Sequence, residues 1–317
     1  MDSEIRKLKS HLREAGISPN KTLGQNFLID ESVLAEIVGT ANLHENDCVL
    51  EIGAGLGVLT RELARHAARV VAFESDRQLL PALVESCRAW KNLSIVGEDF
   101  LKSDFLSYLR GATVKTPTGV EGQRSARGPG LVRSDHLART ENIEVHLGKI
   151  MDYKCVANIP YNLTGKIFRR LFSAPLRPAL VVLLVQKEVA ERVAAKPGRM
   201  SMLAASVQIF GKPQIVSSVP RTAFFPVPKV DSAILKIDMF SRPLFPESEV
   251  LFRLLRIGFA ARRKTLANNL AAGLRIDKLQ VHRLLAQAGL NQLARAQELS
   301  MAQWQKLFLF LQAHKKF

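Results

Sequence analysis

A chain of 317 residues with net charge +16 exceeds one comfortable globular core, which predicts a large domain beside a smaller one. With 47% hydrophobic and 23% charged residues it can bury a core, which argues against wholesale disorder, and no apolar run is long enough for a bilayer span. The opening MDSEIRKLKSHLREAG lacks the apolar core of a secretion signal, and Cys48, Cys87 and Cys155, odd in number and widely spaced, fit neither a disulfide framework nor a zinc motif. The expectation is a soluble cytoplasmic protein with reduced thiols and no metal.

In chain order, the first clear strand is CVLEI at 48–52, apolar almost throughout as a strand buried on both faces should be. Gly53, Gly55 and Gly57 then turn into a helix whose apolar face uses Leu56, Leu59, Leu63 and Ala64, and a strand over 70–73 ends at Glu74. Further strands are predicted over 93–96, 155–158, 179–186, 213–219 and 233–237, with helices near 77–90, 163–173, 187–195 and 201–210. This alternation predicts a doubly wound α/β sheet. The stretch over about 107–149 is rich in Gly, Thr, Arg and Pro with no sustained period, and reads as an insertion or mobile loop. Beyond residue 240 the pattern is helical, with Asp277 and Ser300 as caps, so the expected division is 1–240 and a helical domain over 241–317.

The charge is unevenly divided. Residues 1–150 hold 19 Lys+Arg against 20 Asp+Glu, net −1, whereas residues 151–317 hold 26 against 9, net +17. A basic half of this kind attracts phosphate backbones without regard to sequence.

Glycines at 53 and 55 let a ligand approach the main chain at the carboxyl end of the first strand. The G-x-G-x-G spacing lacks the third glycine position of the dinucleotide fingerprint and the Lys-Ser/Thr of a P-loop. Glu74, ending the second strand, stands where a carboxylate accepts both hydroxyls of a ribose, a role shared by NAD and S-adenosylmethionine sites. Asp99, in the GEDF run after the third strand, is a candidate reader of an adenine amino group, or else an ordinary turn acid.

The run NIPY, from Asn158 to Tyr161, closes the fourth strand at the same edge. An exocyclic amine on a purine is a poor nucleophile because its lone pair is delocalised into the ring. The Asn158 side-chain carbonyl and the Ile159 backbone carbonyl can accept its two hydrogens, drawing nitrogen toward tetrahedral geometry, and Tyr161 can stack on the base. That is methyl transfer to an amine by orientation and electrostatics, with no strong base.

Seven ordered runs carry a resemblance: KTLGQNFLID, EIGAGLG, Glu74, GEDF, ANIPYN, FFPVPKVDSA and GFAARRKTLANNL. Together they resemble the ribosomal RNA adenine N6-dimethyltransferases, and the LGQNFL, VPKVDSA and RRKTLANNL runs are closer to the bacterial small-subunit enzyme than to the macrolide-resistance methylases. The resemblance implies a Rossmann-like class I methyltransferase sheet with a small all-helical C-terminal domain, and S-adenosyl-L-methionine as cofactor. It implies that Asn26 and Leu28 close over the cofactor, Gly53 borders its amino-acid end, Glu74 holds its ribose, Asp99 reads its adenine, and Asn158 serves both cofactor and catalysis with Tyr161. Phe225 matches an aromatic position near the target base, while Arg262, Arg263 and Lys264 read as phosphate contacts. The implied partners are small-subunit rRNA and a precursor small ribosomal subunit, met by a monomer in the cytoplasm; the implied product is a pair of adjacent N6,N6-dimethyladenosines in a hairpin near the RNA's 3′ end.

The sequence departs from that pattern in its insertion, for which an RNA-ordered arm and a tolerated surface loop are both open. Three other readings are weighed: a large-subunit methylase of the resistance type, a non-catalytic ribosome-biogenesis or nucleic-acid-binding factor, and an NAD-dependent oxidoreductase, which leaves NIPY and the basic half unexplained.

Overall fold

The computed structural model describes Ser10, Leu12, Pro19 and residues 24–111, 152–245 and 249–313; the greater part of the predicted insertion lies outside the described residues. A two-residue strand β1 (Phe27–Leu28) leads into α1 (Glu31–Ala41), whose N-terminus is capped by Asp30 Oδ1 accepting from the amides of Ser32 and Val33. There follow β2 (Cys48–Ile52), α2 (Val58–His66), β3 (Arg69–Phe73), α3 (Leu80–Cys87), β4 (Leu93–Val96) and α4 (Phe105–Leu109). The chain resumes with β5 (Lys154–Asn158), α5 (Thr164–Phe172), β6 (Leu180–Gln186), α6 (Lys187–Val193), α7 (Met202–Gln208), β7 (Gly211–Val219), β8 (Phe224–Phe225) and β9 (Ser232–Met239). Four helices close it: α8 (Glu249–Gly258), α9 (Leu266–Leu274), α10 (Lys278–Gln287) and α11 (Met301–Ala313).

The seven predicted strands all join one seven-stranded sheet of order β4-β3-β2-β5-β6-β9-β7. Pairing is parallel from β4 through β6, and β9 runs antiparallel to both its neighbours, β6 and β7. The expected α/β sheet is therefore mixed, because β9 returns from the short β8 segment without a crossover helix. The central strands are apolar on both faces, whereas the edge strand β7 alternates half-buried with exposed residues between its buried ends and carries Pro213. Chain order reverses between β2 and β5, so the carboxyl ends of those strands flank the crevice where such sheets take ligands.

Gly57, at φ +80, opens α2, and a Cβ there would meet Cys87 Sγ and Ser86 Oγ at 2.8 Å. The glycine turn can therefore press against α3 only because that side chain is missing. On the opposite flank, stacked or tilted rings run from Phe168 through Phe172 and Phe210 to Phe252, carrying the sheet's core continuously into the helices after residue 240. No helix among the described residues is long and apolar enough to cross a membrane, and none of their His, Cys, Asp and Glu side chains group as a metal site.

Candidate active site

Gly53 and Gly55, at φ +79 and +60, turn the chain at the end of β2 in a backbone region that other residues resist. A Cβ on Gly53 would stand 3.5 Å from Pro160 Cδ and 3.6 Å from the Asn158 carbonyl oxygen, so the turn after β2 and the NIPY run after β5 lie side by side. Glu74, just past β3, is buried and orders this turn, accepting from the Gly55 amide through Oε2 and from the Asp76 amide through Oε1, both at 2.8 Å. Burial raises its carboxyl above the usual carboxylate value, and those two amides oppose the rise. Each carboxylate oxygen spends one lone pair on the main chain, which leaves acceptor capacity for hydroxyls.

Gln25 Nε2 donates to Asp76 Oδ2 at 2.6 Å, fastening the QNFL segment beside the acid that follows Glu74. One residue later, the carbonyl of Asn26 accepts from Asn158 Nδ2 at 3.2 Å, while Asn26 Nδ2 donates to the Gly24 carbonyl. Two residues on, Phe27 and Leu28 pair with Phe225 and Phe224. The segment 25–28 thus touches the Glu74 region, the NIPY run and the aromatic FFPVP run in four consecutive residues. Leu28 is itself buried in the core, which confines its contribution to the cleft to its main chain.

Only an amide N–H can donate to a carbonyl, so the Asn158 contact with Asn26 assigns which way the Asn158 amide faces. Its Nδ2 is committed to the protein and its Oδ1 is left as the acceptor. Tyr161 follows in a 3-10 turn; its carbonyl accepts from Thr164 Oγ1, and its hydroxyl lies 2.6 Å from Ser232 Oγ. Burial raises the phenol above its ordinary value, so it keeps its proton at neutral pH.

Asp99 is half-buried and takes the Leu101 amide at 3.0 Å, with Lys102 Nζ 3.9 Å from its other oxygen. The neighbouring Phe100 ring is buried edge-on against Phe73 at 5.6 Å, bracing the strand end from within the core. Below the glycine turn, Glu51 is 1% exposed and its Oε2 lacks a hydrogen-bond partner, as does Thr60 Oγ1. Burial pushes the Glu51 carboxyl up to about 8; the nearby Thr60 hydroxyl opposes this without closing a bond, and the Glu74 charge adds to it.

Arg262, Arg263 and Lys264 are exposed on the turn between α8 and α9, not on a helix face. Buried Asn269 holds that turn, its Nδ2 donating to the carbonyls of Gly258 at 2.6 Å and Ala261 at 3.2 Å. An open groove of about 530 Å³ beside it is lined by Arg253, Arg256, Lys264 and Asn268 over small apolar residues. Residues 250–275 contain no Asp or Glu.

Sequence reasoning did not single out Asp76, Ser232 or the Gln25 tether. Asp76 carried a signal, an acid two residues after the strand-end Glu74; Gln25 and Ser232 stand within the QNFL and VPKVDSA runs, but nothing in the sequence names their partners, which lie 51 and 71 residues away.

A model of the family described as "Ribosomal RNA adenine dimethylase" matches residues 16–313. The chain is 39% identical over 295 residues to a ribosomal RNA small subunit methyltransferase A of Dehalococcoides mccartyi, covering 92% of this chain and 88% of that one. It is 36% identical over 308 residues to the protein of the same name from Geobacillus thermodenitrificans, covering 95% and 94%. Among solved structures, a dimethyladenosine transferase from Plasmodium falciparum superposes with TM-score 0.69 at 25% identity over 92% of this chain and 98% of that one. The 23S rRNA methyltransferase ErmE does so with TM-score 0.64 at 27% identity over 90% and 100%. The chain belongs to the ribosomal RNA adenine dimethylase family.

Proposed function

We propose that the protein transfers methyl groups from S-adenosylmethionine to the N6 atoms of two adjacent adenosines in a hairpin near the 3′ end of small-subunit rRNA, giving N6,N6-dimethyladenosine. The observation that carries the chemistry is the Asn158 amide, whose nitrogen is spent on the Asn26 carbonyl so that its oxygen is the atom offered to an amine.

The cleft suits a nucleoside cofactor on this chain's own terms. Two left-handed glycines remove side chains from the turn, and Glu74 keeps acceptor capacity at the end of β3. Asp99 offers a second carboxylate at the end of β4. In this reading Glu74 takes ribose hydroxyls, Asp99 the adenine amine, and Gly53 with the main chain at Asn26 and Leu28 borders the remainder. When bound, the cofactor supplies an electrophilic sulfonium methyl.

The chain's own part is to prepare the amine. Asn158 Oδ1 and the Ile159 carbonyl accept its two hydrogens in the first transfer, turning the lone pair out of the ring plane and supporting the charge that develops on nitrogen; each methylated nitrogen then releases one proton to solvent, so the second transfer presents the single N–H that remains. Tyr161 stacks on the base, with Phe225 nearby across the pairing with Phe27. A target adenosine must leave its stack, which costs least in a loop. Phosphates are held by Arg262, Arg263 and Lys264 and by the acid-free groove beside them, making the helical region over 241–317 the RNA- and ribosome-binding unit. The physiological substrate is a precursor small subunit, met in the cytoplasm by a monomer.

The likeness to ErmE gives a second reading, methylation of large-subunit rRNA. Incubation with S-adenosylmethionine and unmethylated subunits, followed by mass analysis of RNA fragments, separates the two. Dimethyladenosine in the 3′-terminal small-subunit fragment is expected; methylation confined to large-subunit RNA overturns the assignment.

A further inference from the structure

We propose that Ser232 is a positioning residue for the reaction: from the start of β9 it holds the Tyr161 ring, through the phenol oxygen, in the plane against which the target base stacks. The proposal rests on the reading of Tyr161 as the stacking residue and adds to it the group that sets the ring's orientation.

Ser232 is fully buried, and its Oγ lies 2.6 Å from Tyr161 Oη. A buried hydroxyl at the mouth of an apolar sheet costs free energy unless it is bonded, and a residue of similar size without the hydroxyl would fit the strand equally well. Its place in the sheet explains what the bond does. Ser232 pairs with Gln186 on one side and Val219 on the other, at the carboxyl end of β6. Tyr161 follows β5, and β6 lies between β5 and β9. A bond between Tyr161 and Ser232 therefore lays the phenol ring across the end of β6.

The near end of the ring is already constrained. Leu163 N–H donates to the Pro160 carbonyl at 3.0 Å, and Thr164 Oγ1 donates to the Tyr161 carbonyl at the same distance. With main chain held at one end and phenol oxygen at the other, the ring is oriented before any base arrives. A flat base docking on it meets a fixed plane, and the amine is presented to Asn158 and Ile159 in one geometry. RNA affinity, by contrast, comes chiefly from phosphate contacts spread over many cations. Loosening one ring should therefore appear in kcat and leave the RNA KM nearly unchanged.

The test is a double-mutant cycle of Ser232→Ala, Tyr161→Phe and both together in the full chain, assayed for methylation of unmethylated small subunits, with thermal melting of each variant. Each single variant breaks the same bond from one side, and each is expected to lower kcat about fivefold, the worth of one neutral hydrogen bond, with RNA and cofactor KM values within about twofold. In the Tyr161→Phe background the serine substitution should change nothing further. Full kcat in Ser232→Ala, or an equal loss from it with and without the phenol hydroxyl, overturns the proposal. Should Ser232→Ala fail to fold, Tyr161→Phe alone must show the kcat loss or the proposal falls. Tyr161→Ala tests the underlying reading separately: wild-type kcat in that variant removes Tyr161 from the chemistry whatever Ser232 does.

Discussion

Asn158 Nδ2 donates to the main-chain carbonyl of Asn26 across 132 residues of sequence, and this one bond joins the 25–28 segment to the NIPY run at the end of β5. Its donor cannot be replaced by a carboxylate, which would set oxygen against oxygen. Asn158→Ala should lower kcat by about 100-fold or more while RNA affinity stays within about twofold. Asn158→Asp should in addition weaken cofactor binding, because the 25–28 segment loses its hold. Single-turnover methylation with filter binding of RNA and calorimetry of the cofactor separates the three quantities; wild-type turnover in Asn158→Ala removes the residue from catalysis.

Glu74 predicts a pH dependence of cofactor binding. Its carboxyl is raised by burial above the ordinary value, so as pH falls the proton returns earlier than for an exposed Glu and occupies an oxygen that should accept a ribose hydroxyl. Affinity should therefore decline as the solution is acidified, starting at a higher pH than an exposed glutamate would require. Glu74→Gln should bind the cofactor about tenfold more weakly at neutral pH and lose most of that dependence. Calorimetric titrations across the range check both, and a parallel decline in both proteins refutes the assignment to Glu74.

Glu51 predicts a pH dependence of stability with a definite sign. Its folded value of about 8 stands above the ordinary 4.5, so the folded state binds the proton more tightly than the unfolded chain. Its contribution is fully present below the unfolded value and is lost as pH rises through the folded one. Glu51→Gln keeps the shape without the charge, and it should be more stable than the parent at pH 8 by an amount of order a few kcal/mol, seen as a higher melting temperature, with little gain at pH 4. Equal melting shifts at both ends would mean that ionisation of Glu51 is not the cause.

Asn269 gives a prediction for RNA binding at a residue that needs no RNA contact. Removing its amide leaves the carbonyls of Gly258 and Ala261 without their donor and frees the turn that carries Arg262, Arg263 and Lys264. Asn269→Ala should destabilise the protein by about 1–3 kcal/mol and weaken RNA binding severalfold with its salt dependence retained. Replacing the three cations by Ala should instead flatten the salt dependence, reducing the slope by roughly two to three. Binding isotherms over a salt series distinguish a misplaced cluster from a missing one.

Much of the fold was legible because its signal is local. The central strands are short apolar runs bounded by turns, and each of the seven predicted strands is present, within a residue or two at its ends. Helix α1 lacks a long apolar period although Asp30 and Glu31 mark its start, and α4 is a single short turn at the edge of the aperiodic insertion. Strands β1 and β8 were invisible, since two residues have no period and their pairing joins distant parts of the chain. The reversed direction of β9 between β6 and β7 is likewise a matter of connection rather than pattern.

The candidate site divides in the same way. The residue types that could read a ribose, an adenine and an amine stand in the sequence as Glu74, Asp99 and Asn158 at strand ends, because turns and strand termini impose local constraints that a sequence displays. Which atom of Asn158 faces the cleft, what fastens the 25–28 segment to Asp76, and which buried hydroxyl anchors Tyr161 were decided only by the tertiary structure. Those are contacts between strand ends brought together by the sheet, and a hydrogen bond between distant residues leaves no period, spacing or composition from which it can be read.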